Sequence, residues 1–180
     1  MELINLSKGG RASGSFIQEG RWKQTLDLKP DYVLVQFGHN DQPGHGPERE
    51  TDPQTTYKAN MERYVDEARA AGIKPILVTP VSRRKWGPNG KIDSALTPYA
   101  EAVKQIAAEK KVPLIDLHAL SIALYEKMGN KGVQEISPIK TGGGFDGTHF
   151  NEKGGKIVGK IVADALRQAV PELAIYVNPA

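Results

Sequence analysis

Residues 32–37 read Tyr-Val-Leu-Val-Gln-Phe, and they decide the fold class. Aromatic and β-branched residues dominate, and no polar residue alternates with them until Gln36. A short run of this kind favours a strand with both faces buried, as in a parallel sheet. Lys29-Pro30-Asp31 breaks the chain just before it, and the polar Gly38-His39-Asn40-Asp41 follows it directly.

The same logic extends to both sides. Tyr57, Met61, Tyr64, Val65 and Ala68 recur at helical spacing, so a helix is expected over 55–71, ended by Gly72. Further strands are expected at 75–79 and 112–117, and further helices at 98–110, 118–128 and 151–169. Toward the amino end, Leu3-Ile4-Asn5-Leu6 reads as a strand and SKGGRASGS as a loop. A helix is expected from Trp22 to Leu28, and the tail Leu173–Asn178 reads as extended. Three polar loops stand out, over 38–54, 82–94 and 129–148. The first holds three Pro and three Gly, more than a plain connector needs. Strands alternating with helices predict one α/β domain over 1–180, a parallel sheet with helices on both faces. Loops at the carboxyl ends of such strands carry the sites.

The bulk numbers exclude several function classes. The chain has 180 residues, 39% hydrophobic and 25% charged, which suits one domain with a real core. No apolar run reaches the roughly 18 residues of a membrane span. The net charge is +3, with basic and acidic residues interspersed and no basic block for nucleic acid. No cysteine is present, so thiolate catalysis and thiolate metal sites are excluded. The four histidines form no HxH or HExxH pattern, so neither metal nor cofactor is expected. MELINLSKGG lacks the basic and apolar regions of a signal peptide.

Three loop clusters carry chemistry. Asp146 and His149 lie three residues apart just before the last helix, as a carboxylate that fixes the tautomer of a base. Asn40, after the strongest strand, is a side-chain donor to a developing oxyanion, and Gly10 offers a backbone N–H. Each signal has a plainer alternative: a helix N-terminal carboxylate, an Asx turn, a glycine turn. His118 opens a helix and reads as structural.

Together the stretches GGRASGSFIQEGRW, DYVLVQFGHNDQ, ILVTPVSRRKW, VPLIDLHALS and DGTHFNEKG resemble the SGNH (GDSL) hydrolase superfamily, in its rhamnogalacturonan acetylesterase-like branch. The resemblance covers nearly the whole sequence. It implies a three-layer α/β/α flavodoxin-like fold and hydrolysis of O-acetyl esters on a polysaccharide, without cofactor. It also implies roles: Gly10 and Asn40 as oxyanion donors, Asp146 and His149 as acid and base. Arg83, Arg84 and Trp86 then become substrate-binding candidates, the arginines for uronate carboxylates and Trp86 for stacking on sugar, with Arg11 and Arg21 near them. Many members of the superfamily are secreted or periplasmic.

One block departs from the pattern. The family's nucleophile lies in a Gly-Asp-Ser turn, and that tripeptide occurs nowhere in the sequence. Only nine residues precede Gly10. The chain therefore reads as shortened at its amino end, without the first strand and its helix. That strand is central in a flavodoxin-like sheet, so open edges are expected, with self-association through an edge or closure by the tail. Three outcomes stay open for the nucleophile: its block lies outside this sequence, another serine such as Ser7 or Ser13 replaces it, or the protein is a carbohydrate-binding remnant. A base and oxyanion donors without a serine still allow slow attack by water.

Overall fold

The computed structural model describes residues 1–177. The chain forms two compact units, Met1–Pro80 with Pro98–Ile115, and Val81–Thr97 with Asp116 onward.

The first unit holds a three-stranded parallel sheet in the order β1-β2-β3. Its strands are β1 (Tyr32–Val35), β2 (Lys74–Val78) and β3 (Leu114–Ile115), with Val35 opposite Leu77 and Val78 opposite Ile115. Four helices accompany them: α1 (Ser13–Gln18), α2 (Arg21–Asp27), α3 (Thr56–Ala70) and α4 (Thr97–Lys110). The apolar stripe Tyr57, Met61, Tyr64, Val65 and Ala68 of α3 is buried, as its spacing predicts. Rings tie the amino-terminal helices to it. Trp22 packs edge-on to Tyr64 at 4.8 Å, Phe37 stacks on Tyr64 at 5.0 Å, and Phe16 meets Phe37 at 5.5 Å. Burial of each such ring contributes on the order of 1.5–3 kcal/mol.

The parallel sheet is present as expected, but its details differ from the sequence expectation. In β2, Pro75 to Val78 are all buried, as befits the central strand. In β1 only Val35 is buried, and Leu34 is 42% exposed. The reason is position: β1 lies at an edge of the sheet. Leu3-Ile4-Asn5-Leu6 forms no strand, and Leu3 and Ile4 are exposed. A strand needs a neighbour to satisfy its backbone, and no ladder reaches this segment. The Gly- and Ser-rich run expected to be all loop holds the start of α1. There Ser15 Oγ accepts from the Ala12 N–H at 2.9 Å, an N-terminal cap.

In the second unit, α5 (Leu117–Glu135) and α6 (Glu152–Ala169) frame the third polar loop. Both start on side-chain caps: Asp116 accepts from the Ala119 N–H, and Asn151 from the Gly154 N–H. A non-helical Gly129 interrupts α5. The helix expected to end at Met128 does break there, and a second helical piece continues to Glu135. The tail does not add a strand. Pro171–Tyr176 is a 3-10 helix with Leu173 buried, and Asn178 lies outside the described residues. No helix among the described residues is long and apolar enough to cross a membrane.

Candidate active site

The chemistry-bearing residues divide between the units. In the first unit, the loop after β1 is built around a buried carboxylate, Asp41. Its oxygens accept from the Ser13 N–H at 3.0 and 3.1 Å, from Ser13 Oγ at 2.5 Å, from the Gly38 N–H at 3.0 Å and from Thr51 Oγ1 at 2.9 Å. Burial raises its pKa, and these donors oppose the rise. The Asp41 backbone is held as well: its carbonyl accepts from the Thr51 N–H at 2.9 Å and from Tyr99 Oη at 3.0 Å. Tyr64 Oη donates to the Ser13 carbonyl at 2.8 Å, and Asn60 Nδ2 to Ser13 Oγ at 3.0 Å. Burial pushes Tyr64 up and Tyr99 up to about 12, so both stay neutral donors.

This network joins the Gly10 loop to the Asn40 loop. Asn40 Nδ2 donates to the Arg11 carbonyl at 3.3 Å, next to Gly10 in sequence. One amide hydrogen of Asn40 is thereby used. Gly10 is exposed with φ +76°. Gly38 turns the chain off β1 with φ +134°, and a Cβ there would sit 3.1 Å from the Pro80 ring carbons. Only glycine fits that turn without strain.

The second unit holds Asp146 and His149. Asp146 Oδ2 lies 2.7 Å from His149 Nδ1. Its Oδ1 accepts from the Thr148 N–H at 2.7 Å and the His149 N–H at 3.0 Å. The His149 hydrogen bond, with the two backbone donors, holds the Asp146 carboxyl well below the usual carboxylate range. A carboxylate on Nδ1 makes Nδ1 the protonated nitrogen and leaves Nε2 as proton acceptor. The His149 side chain is 79% exposed, so Nε2 is open to solvent.

Other sequence candidates are placed as follows. Ser13 is fully buried with its hydroxyl committed to Asp41, so it is no nucleophile. Ser7 is exposed, with its N–H donating to Asn5 Oδ1. Arg11 and Arg21 both pair with Glu19, at 2.9 and 2.6 Å. Arg83 is half-buried, and its Nε donates to Thr148 Oγ1 at 3.1 Å. Trp86 is half-buried with its indole Nε1 enclosed. Arg84 departs from expectation: it is 2% exposed, so its guanidinium is not presented to a substrate carboxylate. His118 is buried, with Nε2 3.2 Å from Thr97 Oγ1. The residue that sequence reasoning passed over is Asp41. Its only signal was a second acid beside Asn40 at the end of a strand, which an Asx turn explains equally well.

The chain is similar to known proteins in sequence and in fold. Residues 1–157 match the model of the GDSL-like Lipase/Acylhydrolase family. The probable rhamnogalacturonan acetylesterase YesY of Bacillus subtilis is 40% identical over 170 residues, 93% of this chain and 77% of that protein. The rhamnogalacturonan acetylesterase RhgT of the same organism is 37% identical over 174 residues, 91% of this chain and 73% of that protein. Among solved structures, Bacillus subtilis YxiM superposes with a TM-score of 0.80 at 26% identity, over 94% of this chain and 46% of that one.

Proposed function

Because the chain belongs to the GDSL-like lipase/acylhydrolase family, we propose that it hydrolyses O-acetyl esters on carbohydrate, with a pectic rhamnogalacturonan as the substrate class. The observation that carries this reading is the 2.7 Å contact between Asp146 Oδ2 and His149 Nδ1, which leaves Nε2 exposed. A histidine so oriented takes a proton from an attacking oxygen and returns it to a leaving one. The relatives named for acetylated rhamnogalacturonan supply the substrate class.

No Gly-Asp-Ser tripeptide is present, and in this reading the attacking oxygen is that of water. Its oxygen adds to the acetyl carbon while its proton passes to His149 Nε2. Negative charge then develops on the former carbonyl oxygen, and the family resemblance gives the role of donor to it to the Gly10 N–H and Asn40 Nδ2. Collapse breaks the bond between the acetyl carbon and the sugar oxygen. The imidazolium protonates that oxygen, giving acetic acid and a free hydroxyl. With water as the attacking group the rate is low, since what remains is the catalysis of a base and oxyanion donors.

The test is turnover of p-nitrophenyl acetate and release of acetate from acetylated rhamnogalacturonan. His149→Ala is expected to lower both by roughly 10²–10⁴, and Asn40→Ala by about 10²–10³. Equal rates in the native protein and His149→Ala overturn the mechanism. Acetate release from acetylated xylan but not from the pectic polymer overturns the substrate class alone.

A further inference from the structure

Arg84 is the one arginine or lysine among the described buried residues, and every hydrogen bond it makes in the described residues goes to a neutral acceptor. Its Nε donates to Ser137 Oγ at 2.8 Å, and its Nη2 to the Asp146 carbonyl at 3.0 Å and to the His149 carbonyl. Its own backbone N–H donates to the Gly147 carbonyl at 2.8 Å. Backbone and side chain of one residue therefore hold three carbonyls within the four residues that contain the acid and the base. The guanidinium carbon lies 4.4 Å from the Phe150 ring centroid and 5.6 Å from that of Tyr125. Its Nη1 is buried without a hydrogen-bond partner among the described residues.

A buried cation with an orphaned nitrogen is costly, and an apolar residue would fill the same core without that cost. What the arginine supplies in return is geometry. Its planar fork fixes two donors in one orientation, and the surrounding rings shield them from water. From this we propose that Arg84 is the positioning residue of the Asp146–His149 pair: it clamps the 146–149 turn so that the carboxylate meets Nδ1. The arginine acts through the turn and touches no reacting atom. The inference rests on Asp146 and His149 being acid and base, but its readout needs no turnover.

The experiment follows the His149 ring by long-range proton–nitrogen NMR on the full chain without substrate, with His149→Ala to assign the signals. The native protein is expected to show His149 as a single Nδ1–H tautomer when neutral. Arg84→Lys keeps the charge but loses the fork. It is expected to fold by circular dichroism, to shift His149 toward the Nε2–H tautomer, and to speed exchange of the Thr148 and His149 amides about tenfold. Ser137→Ala removes the Nε acceptor, together with the hydroxyl's own donation to the Val133 carbonyl at 2.6 Å, and is expected to move both readouts the same way by less. Either variant, folded and with native tautomer and exchange, overturns the proposal. If Arg84→Lys does not fold, Ser137→Ala decides alone. A native protein that shows the single Nδ1–H tautomer but no esterase activity would count against the proposed function, not against the clamp.

Discussion

Asp41 in the first unit and Arg84 in the second do opposite jobs with the same tool. Each is a buried charge, 0% and 2% exposed, and each holds a loop that carries site residues. Asp41 is an anion that gathers donors: two backbone N–H groups and two hydroxyls converge on it. Arg84 is a cation that gathers acceptors, and its Nη1 has no partner among the described residues. A carboxylate has two oxygens, each able to accept more than once, so it is easily saturated. A guanidinium has five donors in a rigid plane, and saturating them needs five well-placed acceptors. The anion is thus a complete knot, and the cation is a clamp with one arm idle.

That difference ranks the mutations. Asp41→Asn turns one acceptor into a donor against its own donors, and should cost roughly 2–4 kcal/mol in urea unfolding. Arg84→Met frees three acceptors but also removes an idle buried N–H and a desolvated charge. Its cost should be smaller, about 2 kcal/mol. If the order reverses, the clamp is worth more than the knot and the comparison breaks. Tyr64→Phe removes a single hydroxyl donor to the Ser13 carbonyl and should cost about 1 kcal/mol, which sharpens how much of the knot lies beyond Asp41 itself.

The smallest effect is in pH. Burial raises the pKa of Asp41, while its hydrogen bonds lower that of Asp146. For a raised carboxyl, the folded state binds the proton more tightly, so its stability contribution is present at low pH and lost as pH rises through the folded value. For a depressed carboxyl, the contribution is present above the ordinary carboxylate value and lost as pH falls. The stability difference between the native protein and Asp41→Asn should therefore shift toward the native protein on acidification. The difference for Asp146→Asn should shift the other way. The second change stays under about 1 kcal/mol, because the His149 partner is exposed and solvent screens the pair. Slopes of the same sign would break the contrast.

How much of this was legible depends on whether a feature is local. β2, α3, α4 and α6 follow from periodicity and breaks. GHND and DGTHFN marked the two loops. What the sequence hid is tertiary. Nothing in SKGGRASGS announces α1, because the group that captures the Ser13 N–H is Asp41, 28 residues away. Arg83 and Arg84 are the same letter twice, yet one is half-exposed and the other enclosed, and no local pattern sets which of two neighbours turns inward. Leu3-Ile4-Asn5-Leu6 has the composition of a strand but lacks the neighbour that would make it one.

Leu34 has a practical consequence. An edge strand with an apolar side chain 42% exposed is a template onto which another extended chain can add. Concentrated solutions of this protein should therefore be limited by colloidal behaviour well before they are limited by unfolding. A single charge at that position, Leu34→Lys, acts as a gatekeeper on the strand and should raise the concentration at which light scattering begins.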